Sequence, residues 1–239
     1  RNINYTNVCS YRCQFCAFSK GKLADNLRGK PYLLPLAEVV RRSREGWERG
    51  ATEVCLQGGI HQDFTGDFYL DVLRAIKSEL PGMHVHAFSP LEVSQGTRTI
   101  GLGLEPYLGR LRDAGLGSLP GTAAEILDDD VRAIICPDKL RTGEWVEVIE
   151  AAHRAGLRTT STIMFGHVEG YDAWARHLLV LRGIQEGRVP VQCAATMTKR
   201  MTREAGRFVD RHPYGGAVLF IVSAAVFTSS VVMAIVSIV

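Results

Sequence analysis

The chain repeats one pattern five times, in which a short apolar segment of strand type precedes an amphipathic helix. The second repeat is the clearest. Residues 53–59 contain alternating apolar side chains, and those from Tyr69 to Leu80 then recur at helical spacing. Glycine or proline ends most of these segments, as expected where strands and helices are joined. Strict alternation of strands and helices predicts a parallel sheet with helices packed against it.

Two architectures agree with this alternation, a doubly wound sheet and a (β/α) barrel. Polar and glycine-rich clusters come directly after the predicted strands, where barrel enzymes place their active sites, and this favours the barrel. A closed barrel has eight units, whereas five precede a change of composition near Gly187. We therefore predict an α/β fold over residues 1–186, an incomplete (β/α) barrel whose fifth strand has an unpaired edge.

Composition and charge exclude several classes of protein. Of the 239 residues, 46% are apolar and 22% are charged, which excludes a disordered chain, and six cysteines are too few for a disulfide-stabilised miniprotein. Residues 187–214 carry six Lys or Arg against two acidic residues, and residues 215–239 carry no charge. Since the net charge is +3, the balance of residues 1–186 is −1. We therefore expect no nucleic-acid partner.

The uncharged run of residues 215–239 is long enough to cross a membrane as a helix. Its length at about 1.5 Å per residue exceeds a hydrocarbon core of about 30 Å. We predict a C-terminal apolar, transmembrane helix after a basic linker over residues 187–214, with the catalytic part in the cytoplasm. The alternative is a buried helix or strand pair that ends a domain, which the many β-branched residues favour.

Three cysteines follow the first predicted strand with the spacing C-x3-C-x2-C. Cys9, Cys13 and Cys16 lie within eight residues, so their thiolates can bind one inorganic centre. A structural zinc site needs four protein ligands, and no fourth Cys or His is nearby. A cubane iron–sulfur cluster can take three cysteines and leave one iron open to a small ligand. A zinc site, or three core cysteines without a metal, remain as alternatives.

Polar residues at the ends of the other strands are candidates for binding and catalysis. Gln57, Gly58 and Gly59 follow the second strand, and the alternative for them is a plain tight turn. His86 lies on the third strand, and either lines the barrel interior or is a core histidine. Further polar side chains past strand ends, with solvated loop positions as the alternative, are Ser89, Glu92, Glu125, His167 and Glu169. We assign no ligand role to Cys55, Cys136 or Cys193.

The cysteine spacing, with Phe15 directly before the last cysteine, resembles that of the radical S-adenosylmethionine (radical SAM) superfamily. Within it, longer stretches resemble the second subunit, or second half, of the FO synthase family, which makes a deazaflavin coenzyme precursor. The resemblance covers residues 1–186. Its stretches are residues 2–9, 16–18, 57–61, 86–90, 120–125, 135–139 and 160–169.

This resemblance implies a barrel of the radical SAM type and a [4Fe-4S] cluster on Cys9, Cys13 and Cys16. The open iron would bind S-adenosylmethionine, whose reductive cleavage yields methionine and a 5′-deoxyadenosyl radical. The implied contacts to this cofactor are Phe15, Gln57, Gly58, Gly59 and Ser89. The candidate catalytic residues are His86, Glu125 and His167.

The resemblance also implies a reaction and its partners. The 4-hydroxybenzyl group of L-tyrosine would be joined to 5-amino-6-(D-ribitylamino)uracil, and a first FO synthase subunit or domain would close the deazaflavin ring. One alternative is a radical SAM cyclase or synthase of the menaquinone branch. Another is an inactive, membrane-tethered iron–sulfur fragment, since we expect poor activity from five barrel units alone.

Overall fold

A computed structural model describes residues 1–16 and 30–187 and the backbone of residues 232–238. These residues form six strands and seven helices. The strands are β1 (Asn2–Asn4), β2 (Glu53–Gln57), β3 (His84–Ala87), β4 (Ser118–Leu119), β5 (Arg158–Phe165) and β6 (Val232–Ile238). The helices are α1 (Leu36–Glu48), α2 (Gly66–Glu79), α3 (Pro90–Ile100), α4 (Leu104–Asp113), α5 (Asp129–Ile135), α6 (Thr142–Arg154) and α7 (Tyr171–Gln185).

The first five strands are parallel and lie next to one another in the order in which they occur along the chain. A doubly wound sheet would reverse its strand order at a switch point. The sequential order is that of a barrel, and the prediction of an incomplete (β/α) barrel is confirmed. All five carboxyl ends therefore lie along one edge of the sheet.

The two faces of this sheet differ in polarity because successive side chains of a strand point to opposite faces. One face is apolar and packs in the core with residues of α2, α4 and α6. Its strand residues are Ile3, Val54, Leu56, Val85, Ala87 and Leu119. The alternate positions carry polar side chains, among them Asn4, Gln57, His86 and Ser118. A polar face remains on the side away from these helices.

Two short helices were not predicted from the sequence. Helix α3 begins with a capping box, in which the Ser89 hydroxyl accepts from the Glu92 N–H and the Glu92 carboxylate accepts from the Ser89 N–H. Helix α5 is capped by the preceding residue, Asp128, whose carboxylate accepts from the N–H groups of Asp130 and Val131. Both caps satisfy N–H groups that a helix start leaves without intrahelical partners.

The predicted C-terminal apolar helix is wrong for Val232–Ile238, which form β6 antiparallel to β5. The prediction of an unpaired edge on the fifth strand is wrong for the same reason. The run is rich in valine and isoleucine, which favour strands, and β5 offers it a ladder of hydrogen bonds. Residues 188–214 of the predicted linker and residues 215–231 and 239 of the predicted tail lie outside the described residues.

No helix within residues 1–16 and 30–187 is both long enough and apolar enough to cross a membrane. The division of the chain at residues 186 and 214 stays a prediction.

The side chain of His177 on α7 is completely buried. Its Nδ1 accepts a hydrogen bond from the Leu127 N–H at 3.0 Å, which attaches α7 to the loop before α5. Burial, and then the nearby positive charge of Arg132, lower the pKa of His177 to about 3. The folded chain therefore holds this imidazole neutral through the ordinary pH range.

We predict that His177 makes the chain less stable as the pH falls below about 6.5. Above that pH the imidazole is neutral in both states. Between pH 6.5 and about 3 the unfolded chain takes up a proton that the folded chain refuses, which costs about 1.4 kcal/mol per pH unit. Between pH 7 and pH 5 the unfolding free energy of the chain, measured in urea, should fall by about 2 kcal/mol more than that of His177→Gln. Equal pH dependence in both proteins would contradict this prediction.

Candidate active site

The cysteine loop, residues 9–16, lies at the edge of the sheet where the parallel strands end. Its first part is attached to the turn that follows β2. The Cys9 Sγ accepts a hydrogen bond from the Ile60 N–H at 3.3 Å. The N–H and hydroxyl of Ser10 donate to the Ile60 carbonyl oxygen at 2.9 and 3.0 Å. The cysteine loop, which follows β1, is thus held against the end of the neighbouring strand β2.

Gly58 and Gly59 allow this close approach. A Cβ atom on Gly58 would lie 2.2 Å from the Tyr5 ring, and one on Gly59 would lie 2.1 Å from the Val8 carbonyl oxygen. Both glycines are therefore required by packing, whatever else they contact. Gln57, the last residue of β2, is half-buried, and its Nε2 lies 3.6 Å from the Cys55 Sγ. The role of these residues in binding the cofactor stays a prediction.

A buried carboxylate joins the ends of the first three strands. Glu92 is 1% exposed and accepts from the Tyr5 hydroxyl, the Ser89 N–H and hydroxyl (2.6 Å each) and the Gly58 N–H. Burial raises the pKa of Glu92, although these donors oppose the shift. Glu92 therefore links the segments that follow β1, β2 and β3 at the site. The predicted contact of Ser89 with the cofactor stays a prediction, and its hydroxyl is engaged in the cap of α3.

The loop that follows β4 holds the candidate residue Glu125 in a strained conformation. Ala123 and Glu125 have φ values of +65° and +46°, which L-residues rarely adopt. Arg132, which is 3% exposed, stabilises this conformation by donating hydrogen bonds to four carbonyl groups. Their oxygens belong to Ala123, Ala124, Ile126 and Leu140. Strain of this kind is concentrated at functional sites.

The Glu125 carboxylate forms a buried ion pair. Its Oε1 lies 2.7 Å from the Lys139 Nζ, and the two side chains are 7% and 10% exposed. Burial lowers the pKa of Lys139, but the carboxylate and the Cys13 thiol outweigh it, and the pKa rises. Lys139 is thus charged in the folded chain. Nothing in the sequence alone indicated this pair, because neither residue stands in a local motif with the other.

The candidate residue His86 lies on the polar face of the sheet. Its Nδ1 is 2.7 Å from the Ser118 hydroxyl oxygen, which also lies 2.8 Å from the Nε2 of His84. Burial lowers the pKa of His86, so the imidazole is neutral at pH 7. The serine therefore holds a neutral ring at a fixed position on this face.

The candidate residue His167 lies in the turn after β5. Its N–H donates to the Glu169 carboxylate, which also accepts from the N–H groups of Gly166 and Val168 and from the Trp174 indole. Burial raises the pKa of Glu169, but these donors outweigh it and lower the pKa. The His167 Nδ1 is buried and has no hydrogen-bond partner among the described residues. This turn places an unsatisfied imidazole nitrogen at the same edge as the cysteine loop.

The donor set of the cysteine loop suits an iron–sulfur cluster, since soft thiolates are the ligands such clusters use. Burial raises the pKa of the Cys13 thiol to about 12, although Lys139 lowers it in part. Iron binding would therefore release a proton from Cys13. Within the described ranges, no three His, Cys, Asp or Glu side chains are already arranged around a metal position. The residues fit the group by their chemistry.

Comparison with protein families decides the class. The family model described as the radical SAM superfamily matches residues 3–181, which include the cysteine loop and, apart from Asn2, the first five strands. The chain belongs to the radical SAM superfamily. Members of this superfamily use S-adenosylmethionine together with a [4Fe-4S] cluster. A solved structure of the hydrogenase maturase HydG has a similar fold, since it matches 77% of this chain and 39% of its own length with a TM-score of 0.58, at 15% sequence identity.

Named relatives are much more similar in sequence. The 5-amino-6-(D-ribitylamino)uracil--L-tyrosine 4-hydroxyphenyl transferase of Methanothermobacter thermautotrophicus is 52% identical over 185 residues, 77% of this chain and 49% of that protein. FO synthase of Streptomyces coelicolor is 51% identical over 185 residues, again 77% of this chain but 21% of that protein. The chain thus spans about half the length of the transferase and about a fifth of FO synthase.

We predict that Gly59→Ala displaces the cysteine loop and destabilises the chain. The new methyl group would overlap the Val8 carbonyl, and overpacking of this kind costs about 1–3 kcal/mol or more. Gly109→Ala is the matched control, because a Cβ atom on this helical glycine meets nothing within 4 Å. It should stabilise the chain by up to about 1 kcal/mol. Urea unfolding of both variants measures the difference, and equal effects would contradict the packing role of Gly59.

Proposed function

We propose that this chain is the radical-forming part of a transferase that joins the 4-hydroxybenzyl group of L-tyrosine to 5-amino-6-(D-ribitylamino)uracil. The observation that carries the proposal is the 52% identity to a protein named for that reaction. The aligned length is 185 residues, and the five parallel strands and seven helices of the described structure lie between Asn2 and Gln185. The position of the cysteine loop supports it, since barrel enzymes act at this edge of the sheet.

Cys9, Cys13 and Cys16 would hold the [4Fe-4S] cluster, and Phe15 would lie against it. When bound, the reduced cluster supplies the electron that cleaves S-adenosylmethionine and so forms a carbon radical. The chain's own task is to hold the reactants in place and exclude water. Gly58 and Gly59 bring the end of β2 directly against the cysteine loop, so that a cofactor there would meet backbone amide groups.

The polar face of the sheet would receive the substrates. Gln57 and His86 lie on neighbouring strands of this face, and His86 is neutral at pH 7. A neutral imidazole can both donate and accept hydrogen bonds, which suits the donor and acceptor groups of an aminouracil. Glu125 and His167 follow the next two strands. We propose His86, Glu125 and His167 as contacts to the tyrosine and aminouracil groups, and Gln57 as a contact to S-adenosylmethionine.

A partner that closes the deazaflavin ring belongs to this proposal. The relative named FO synthase is a single, much longer chain, of which this one matches 21%. We propose that the present chain acts with a first FO synthase subunit or domain, which would take up the tyrosine–uracil adduct.

We predict that the chain, reconstituted with iron and sulfide without oxygen, forms methionine and 5′-deoxyadenosine from S-adenosylmethionine when dithionite is present. Addition of L-tyrosine and the aminouracil should yield their adduct, at a low rate because the chain has only five barrel units, and liquid chromatography with mass spectrometry measures the product. Cys16→Ser should lose the visible absorption of the cluster and both products, because a ligand is removed. Cys55→Ser is the control, and it should keep the cluster absorption.

The outcomes separate the parts of the proposal. If the cofactor is cleaved but no adduct forms from either substrate, the transferase assignment fails while the radical SAM chemistry stands. If a futalosine-type substrate of the menaquinone branch is consumed instead, that alternative replaces it. If no cluster forms, the radical-forming role of this chain fails as well.

A further inference from the structure

Residues 135–139, here called the lysine segment, contact the second half of the cysteine loop at three successive places. The Arg12 N–H donates to the Asp138 Oδ2 at 2.9 Å. The Gln14 N–H donates to the Ile135 carbonyl oxygen at 2.9 Å. The Lys139 Nζ lies 5.7 Å from the centroid of the Phe15 ring. Two hydrogen bonds donated by backbone N–H groups of the loop, one to a side-chain carboxylate and one to a backbone carbonyl, and one cation–π contact thus fix this segment against the loop.

Lys139 is positioned by these contacts between the cysteine loop and Glu125. Phe15 is directly followed by the ligand Cys16 and lies two residues after the ligand Cys13. The ammonium group contacts the Phe15 ring on one side and forms its 2.7 Å ion pair with Glu125 on the other. Its side chain is 10% exposed, so solvent does little to screen its charge. A fixed, buried positive charge therefore lies beside the loop that carries the metal ligands.

Stability alone gives little reason for this charge. A buried ion pair loses hydration on both partners, and well-packed apolar side chains of similar volume are often as stable or more so. The neighbouring side chains would suit an apolar pair, since Cys13, Ile126, Ile135 and Cys136 form one hydrophobic cluster there. What an apolar pair cannot supply is an electric field at the cysteine loop.

We propose that Lys139 is a positioning and tuning residue whose buried ammonium group favours reduction of the cluster on the cysteine loop. This inference rests on the proposed function, because it requires that the cluster binds there. A cubane with three thiolate ligands is negatively charged, and reduction adds one more negative charge. A nearby cation in a medium of low dielectric constant stabilises the reduced form more than the oxidised form. Glu125 holds the lysine in place and partly offsets its charge.

The experiment measures the midpoint potential of the cluster in the reconstituted 239-residue chain by a redox titration followed by electron paramagnetic resonance. Lys139→Met should lower the reduced-to-oxidised ratio at a given potential about tenfold, a shift of about 59 mV to more negative potential for one electron. Glu125→Gln should shift the potential in the opposite direction, because it removes a negative charge. Lys139→Arg, which keeps the charge, should stay within about twofold of the parent ratio.

Arg176→Met is the matched control. It removes a partly buried ion pair with Asp128, whose side chain is 6% exposed and whose carboxylate caps α5. Its potential should equal that of the unsubstituted chain. Circular dichroism checks that each variant is folded. If Lys139→Met does not fold, the double variant Lys139→Met, Glu125→Gln takes its place, because it removes both charges of the ion pair together. The midpoint potential of the double variant should also shift to more negative values.

Equal potentials in Lys139→Met and the unsubstituted chain overturn the inference. Shifts of the same sign in Lys139→Met and Glu125→Gln also overturn it, because general damage to the loop, unlike charge, does not change sign. In either case a bound cluster that cleaves S-adenosylmethionine leaves the proposed function standing. Failure of the unsubstituted chain to bind a cluster overturns both together.

Discussion

The carboxylate of Glu92 is the contact on which the arrangement of the site depends. It accepts hydrogen bonds from groups at the carboxyl ends of β1, β2 and β3, through Tyr5, Gly58 and Ser89. These ends carry the cysteine loop, the glycine turn and the start of α3. A buried carboxylate is costly unless its oxygens are fully bonded, so the three segments must stay together to satisfy it. The site is therefore built by the same group that closes the core.

Much of the fold could be predicted because its signals are local. Alternating strands, amphipathic helices and glycine stops lie within short windows, and they gave the five parallel strands in their correct order. Helix α3 was missed although Ser89 to Glu92 has the capping-box spacing with proline at the first helical position, a signal that marks this start. The C-terminal strand was predicted as a helix because uniform hydropathy has no period that separates the two.

The residues of the candidate site fall into two groups, those marked by a local motif and those whose partners are distant in sequence. The three cysteines and the two glycines stand in short motifs, so residue type and spacing mark them as candidates from the sequence alone. Arg132 and Lys139 act through partners that only the folded chain brings together. The Arg12–Asp138 hydrogen bond joins residues 126 positions apart, and no local pattern reports such a contact. The roles of Arg132 and Lys139 can therefore be recognised only from the residues that surround them in the fold.

The antiparallel strand β6 also determines what can be added to this sheet. Its backbone pairs with β5 along Thr159–Phe165, and each edge of a strand can hold only one neighbour. Growth of the barrel by a further parallel strand would need that same edge. Any segment, from this chain or another, that extended the parallel series beyond β5 would first have to displace β6. Completion of the barrel is thus a competition between two strand partners for one row of hydrogen-bonding groups.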